Sequence, residues 1–133
     1  MKKLLLIFIS AFALNLVWEN LHSFQYVSYK GGEITEFILM RASLFDAFVI
    51  AVISLPFLFI SFFKEREWLL FVIGTIVAII NEWYGLSTSR WMYAAYMPIV
   101  PFVNVGLTPA LQLGTLGILS FKIQEYLVSR RLA

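Results

Sequence analysis

Four long apolar runs constrain this chain more than any other feature. They fall at about residues 4–22, 43–63, 68–84 and 109–126. Crossing a bilayer takes roughly 20 apolar helical residues, because only a helix or a closed barrel satisfies its own backbone in hydrocarbon. Each run is near that length. The charged tetrad Lys64-Glu65-Arg66-Glu67 separates the second run from the third so tightly that those two helices are antiparallel neighbours. Only 14% of the residues are charged, whereas soluble domains carry about 25%, and 61% are hydrophobic. The mean hydropathy is +0.85. The reading is all-α: a single domain over residues 1–133, an integral bundle of four transmembrane helices.

Met1-Lys2-Lys3 followed by an apolar stretch with Ala11-Phe12-Ala13 has the form of a secretory signal. The run continues through Trp18 to Leu21, however, and is read as the first span. Residues 23–42 form an aromatic and polar connection that turns at Lys30-Gly31-Gly32, with a short interfacial helix expected from Thr35 to Met40. Pro56 is expected to kink the second helix. Residues 85–106 carry Pro98 and Pro101 and are too short and too broken to span, so they form an outer interfacial or re-entrant segment. Thr108-Pro109 reads as an N-cap with proline in the first helical position.

The basic residues orient the bundle. Lys2, Lys3, Lys64, Arg66, Lys122, Arg130 and Arg131 fall on one side, and Lys30, Arg41 and Arg90 on the other. The positive-inside rule then places both termini in the cytoplasm of a multi-pass plasma (inner) membrane protein.

Several chemistries are excluded by composition. With no cysteine there is no disulfide, thiolate nucleophile or iron–sulfur cluster, and the single histidine cannot supply two axial haem ligands. A net charge of +2, spread along the chain, gives nucleic acid no surface to bind.

What remains is a polar constellation gathered at one end. Asn15, Glu19 and His22 share a face near the outer end of the first helix. Asp46 opens the second helix, Glu82 closes the third and Gln112 opens the fourth, all on the same side. Ionisable groups in spanning helices are costly beside lipid and face a bundle interior or a wet cavity. We therefore expect Glu82, Glu19, His22 and Asp46 as catalytic residues, with Glu82 foremost. Arg90, Trp91, Tyr93, Gln112, Asn15, Trp18 and Trp83 are expected to bind substrate. Plainer roles compete with some of these. Ser43 and Asp46 have capping-box spacing, the tryptophans and tyrosines suit an aromatic belt, and the glycine and alanine stripes suit close helix packing.

The stretch Glu82…Trp91-x-Tyr93…Pro109-x-x-Gln112 resembles the small membrane lycopene-cyclase domains. Those pair an acidic helix end with Trp-x-Tyr and a later Pro-x-Glu-Glu. The resemblance covers about a quarter of the chain. Here Gln112 stands where one acid would be and Leu111 where the other would be, and no residue role is carried over.

The expected function is an intramembrane enzyme performing acid–base chemistry on a lipid or isoprenoid substrate: an isomerase, cyclase or hydrolase. The alternative is an oligomeric transporter or proton/cation channel using the same carboxylates; a third reading is an accessory subunit. No resident cofactor is expected. Glu19-x-x-His22 does have the spacing of helical metal ligands in di-iron carboxylate bundles, which use two such motifs where this chain has one, and a single divalent ion with Asp46 and Glu82 is the lesser alternative. The partners are membrane lipid, a lipophilic small molecule and, for transport, a second copy of the chain.

Overall fold

The computed structural model describes residues 1–132 and is mostly helical. The helices are α1 (Lys2–His22), α2 (Glu36–Phe59), the single turn α3 (Ser61–Lys64), α4 (Trp68–Ser87) and α5 (Leu107–Leu132). Three segments, Lys2–Gln25, Glu36–Phe59 and Trp68–Ser87, are long and apolar enough to cross a membrane. The last helix, α5, is longer still, but Gln112, Ser120, Lys122 and Gln124 interrupt its apolar run. Of these, Gln112, Ser120 and Gln124 are buried.

Packing follows the small residues. An added Cβ on Gly74 of α4 would meet the Gly114 Cα of α5 at 2.6 Å, so the two backbones touch there. Such contact is the usual way helices associate without a hydrophobic drive. In turn α5 packs on α1, and α1 on α2, giving the lateral order α2–α1–α5–α4. The two outermost helices, α2 and α4, close on each other over only part of their length. Near Gly117 they converge: its added Cβ would lie 3.8 Å from Leu70 Cγ and 4.0 Å from Ile50 Cγ1. Beyond that level, Phe57 packs edge-on against Phe63 and Phe121 and fills the bundle.

Several boundaries differ from the sequence reading. The second helix starts at Glu36 rather than 43, because Thr35 caps it by accepting the Ile38 N–H at 3.3 Å. The expected interfacial helix is thus the first turns of α2. Ser43 lies inside it and donates to the Leu39 carbonyl at 2.8 Å, so no capping box forms with Asp46. Pro56 occupies the last turn of α2, and the expected kink is a break at Ile60, whose backbone is extended before α3 resumes. The final helix begins at Leu107, which puts Thr108 within its first turn.

The 85–106 segment is not purely irregular, and the fold is not strictly all-α. Its strand β2 (Trp91–Tyr93) pairs antiparallel with β1 (Tyr26–Tyr29), while β3 (Ile99–Val100) pairs with β4 (Val105–Gly106). The β1–β2 register sets Tyr26 opposite Tyr93 and Tyr29 opposite Trp91. Backbone that cannot continue a helix still needs partners for its N–H and C=O groups, and each ladder supplies them. The chain leaves β1 through Lys30 and Gly31, both left-handed, with φ of 51° and 77°. These strands cap the end of the bundle where α2 and α4 are apart.

Candidate functional site

Beneath the strand cap lies a cavity of about 430 Å³, within the ~300–1,000 Å³ range of ligand pockets. One wall is a single face of α2, on which Ile38, Arg41, Ala42, Phe45 and Asp46 recur at helical spacing. The facing wall is Ala78, Asn81 and Glu82 of α4. Glu19 of α1 with Pro109, Gln112 and Leu113 of α5 makes the back, and Tyr26, Tyr29 and Trp91 contribute from the cap. The helices that supply these two facing walls, α2 and α4, are the two ends of the lateral order.

Glu82 is 6% exposed and held by one oxygen. Its Oε2 accepts from the Tyr93 hydroxyl at 2.5 Å, the Trp91 indole N–H at 3.1 Å and the Tyr26 hydroxyl at 3.4 Å. The Tyr93 oxygen in turn accepts the Gly106 N–H at 3.0 Å. Among the described residues no donor reaches Oε1, although Glu82 lines the cavity. Burial, and then the negative charge of Glu82, pushes the phenols of Tyr26 and Tyr93 well above their ordinary pKa. Both remain hydroxyl donors at any physiological pH.

Across the cavity Gln112 is a hub. Its Nε2 lies 2.8 Å from Asn15 Oδ1, 2.9 Å from Glu19 Oε1 and 3.0 Å from Asp46 Oδ2. Asn15 donates its own amide to the Ala11 carbonyl at 2.7 Å, which fixes Oδ1 as the acceptor facing Gln112. With three acceptors around it, the Gln112 amide has only one workable orientation. Behind the hub, His22 Nε2 lies 3.1 Å from Glu19 Oε2, and Nδ1 lies 3.2 Å from Thr108 Oγ1. Thr108 donates to Gln25 Oε1 at 2.6 Å, so His22 Nδ1 is the donor to Thr108. One proton then bridges His22 and Glu19.

The sequence-derived residues thus divide. Glu19, Asp46, Glu82, Arg90, Trp91 and Gln112 line one cavity. Asn15, His22 and Tyr93 stand behind them and hold Gln112, Glu19 and Glu82. Two do not join the site. Trp83 is exposed and donates its indole to the Val103 carbonyl at 2.7 Å, tying the cap to α4. Trp18 packs against His22 at 6.3 Å between ring centroids, its N–H buried without a partner, and does not line the cavity. Tyr26, Arg41 and Thr108 were not anticipated. Arg41 precedes the helix that the sequence reading starts at residue 43 and joins the cavity wall only because α2 begins earlier, at Glu36; Tyr26 reaches Glu82 only through strand pairing. Among the described residues, no three His, Asp or Glu side chains gather as metal ligands. The Gln112 amide donates into the space between Glu19 and Asp46.

No protein family, curated protein or solved structure matches this chain.

Proposed function

We propose that this protein is an intramembrane enzyme that moves a proton within a lipophilic substrate held in the cavity. The observation that carries this reading is the unequal use of the two Glu82 oxygens. Three donors occupy Oε2 and favour the carboxylate form, while Oε1 of this cavity-lining residue has no donor among the described residues. Glu82 is then the base. On the facing side, Gln112 Nε2 has two hydrogens for three acceptor oxygens. That count closes when the Glu19–Asp46 pair carries a proton of its own, which makes the pair the acid and the His22–Thr108 chain its supply. An acid and a base in a cavity whose walls also carry Ile38, Phe45 and Leu113 suit isomerisation, cyclisation, or addition and loss of water. Trp91 and the cap tyrosines would stabilise positive charge developing between them.

The membrane setting belongs to the same proposal. Four spans, α1, α2, α4 and α5, cross with both termini in the cytoplasm, and α5 is tolerated because its Gln112, Ser120 and Gln124 are buried by its neighbours. A one-sided pocket is favoured over a channel by the other half of the bundle. There Phe57, Leu70 and Phe121 fill the interior, and Ser54 and Ser120 spend their hydroxyls on their own helices.

The test is deuterium incorporation. Membranes carrying the wild type, incubated in heavy water, should place deuterium in a lipid-fraction species, read by mass spectrometry. Glu82→Gln, which keeps size but cannot take a proton, should reduce incorporation by about a hundredfold or more. Equal incorporation at matched expression would overturn the assignment of Glu82 as base.

A further inference from the structure

We infer that Arg41 and Arg90 form an anion-binding subsite at the mouth of the cavity, fitted to the phosphate head of a single-chain lipid. The inference builds on the acid–base reading above and gives its substrate a class. Both side chains line the cavity, Arg41 from α2 and Arg90 from the segment that follows α4. Arg41 lies on the cavity face with Ile38 and Phe45, one position from Met40 and three from Leu44 on the exposed side. Arg90 is held in place. Its guanidinium lies 5.2 Å from the Tyr84 ring centroid, and its backbone N–H donates to the Gly85 carbonyl at 2.8 Å.

Among the described residues neither arginine forms a salt bridge, although the carboxylates of Glu19, Asp46 and Glu82 line the same cavity. The cavity therefore has two uncompensated cations at its rim and acids inside. An anionic head is attracted to the rim and repelled from the interior, so it stops at the mouth. A phosphate offers enough oxygens for two planar guanidinium forks, which a carboxylate does not. The position is also the headgroup level, since Arg41 is near the start of α2 and Arg90 just past the end of α4. The volume of about 430 Å³ accommodates one chain, its far end leaving toward lipid between α2 and α4, the two ends of the lateral order. With the head at the arginines, the first carbons of the chain come beside Asp46 and Glu82.

The experiment uses the full chain purified in non-ionic maltoside micelles and reads binding by native mass spectrometry. The probes are farnesyl phosphate, farnesol and inorganic phosphate. Wild type should bind farnesyl phosphate about tenfold or more tightly than farnesol, one charge-assisted pair being worth at least that factor. Replacing both arginines (Arg41→Gln with Arg90→Gln) should abolish the difference while farnesol binding persists, and the double lysine variant should restore part of it. If the double glutamine variant does not fold, the exposed Arg41→Gln alone should reduce the difference. Equal binding of farnesyl phosphate and farnesol by the wild type would overturn the subsite. So would full competition by inorganic phosphate at matched concentration, which would assign the arginines to the free anion. Either result alongside intact deuterium incorporation would remove the subsite and leave the acid–base reading standing.

Discussion

The Trp91 indole lies over Gly85 so closely that a Cβ built on the glycine would stand 1.9 Å from its Cζ2. The same indole donates to Glu82 at 3.1 Å, three residues before that glycine on α4. The absence of a side chain at Gly85 therefore positions a donor on the carboxylate. Gly85→Ala should displace the ring, cost about 1–3 kcal/mol as overpacking does, and lower deuterium incorporation. Thermal melting and tryptophan fluorescence check the first effect. Unchanged fluorescence would mean that the ring has another seat.

Tyr93 joins the Gly106 N–H to Glu82, and Tyr93→Phe leaves both without that partner. A loss of about 1–3 kcal/mol is expected for the orphaned Gly106 N–H, Glu82 keeping Trp91 and Tyr26 as donors. The pH dependence has a definite sign. Both Tyr26 and Tyr93 have pKa values raised by folding, so their neutral forms favour the folded state. That contribution is complete below the unfolded tyrosine value of about 10 and is lost as pH climbs above it. In ultraviolet titration, two of the six tyrosines should ionise only as the protein unfolds in alkali. In Tyr93→Phe one late-ionising group should remain; two would contradict the assignment.

Gln112 gives a sharper test because its amide feeds three acceptors. Gln112→Glu replaces the donor with another carboxyl beside Glu19 and Asp46. Removing one partner from a buried charged network costs about 3–5 kcal/mol, and the variant should melt far below the wild type. Gln112→Met, which adds no charge, should fall between them. A stable, fully active Gln112→Glu would mean that the hub is not structural.

Topology is tested at the opposite end. Ser129→Cys in the otherwise cysteine-free chain should be labelled by an impermeant thiol reagent only after the membrane is opened. Labelling of intact cells from outside would reverse the proposed orientation.

The polar end of the site was legible because Asn15, Glu19, Asp46, Glu82 and Gln112 are expensive in apolar helices, and period-3.6 spacing places each on one face. What periodicity does not carry is the cap. Tyr26 and Tyr93 meet through a short antiparallel pair whose strands are far apart in sequence, and neither strand has enough alternation to announce itself. Trp83 and Trp91 look alike in sequence and differ in fate. One lies on the exposed side of α4 and ties down Val103, while the other follows the helix end and folds back over Gly85. The start of α2 was misplaced for a related reason. Ser43 and Asp46 imitate a cap, but Thr35 lies earlier on a chain that remains helical throughout.

In the proposed enzyme, entry of substrate between α2 and α4 would also govern kinetics. A substrate arriving by that route would be drawn from the bilayer, so the concentration that matters would be its mole fraction among lipids rather than its amount per volume of water. Rates should follow surface density, falling when inert lipid or detergent is added at constant enzyme and substrate. Diluting the aqueous phase should leave them unchanged.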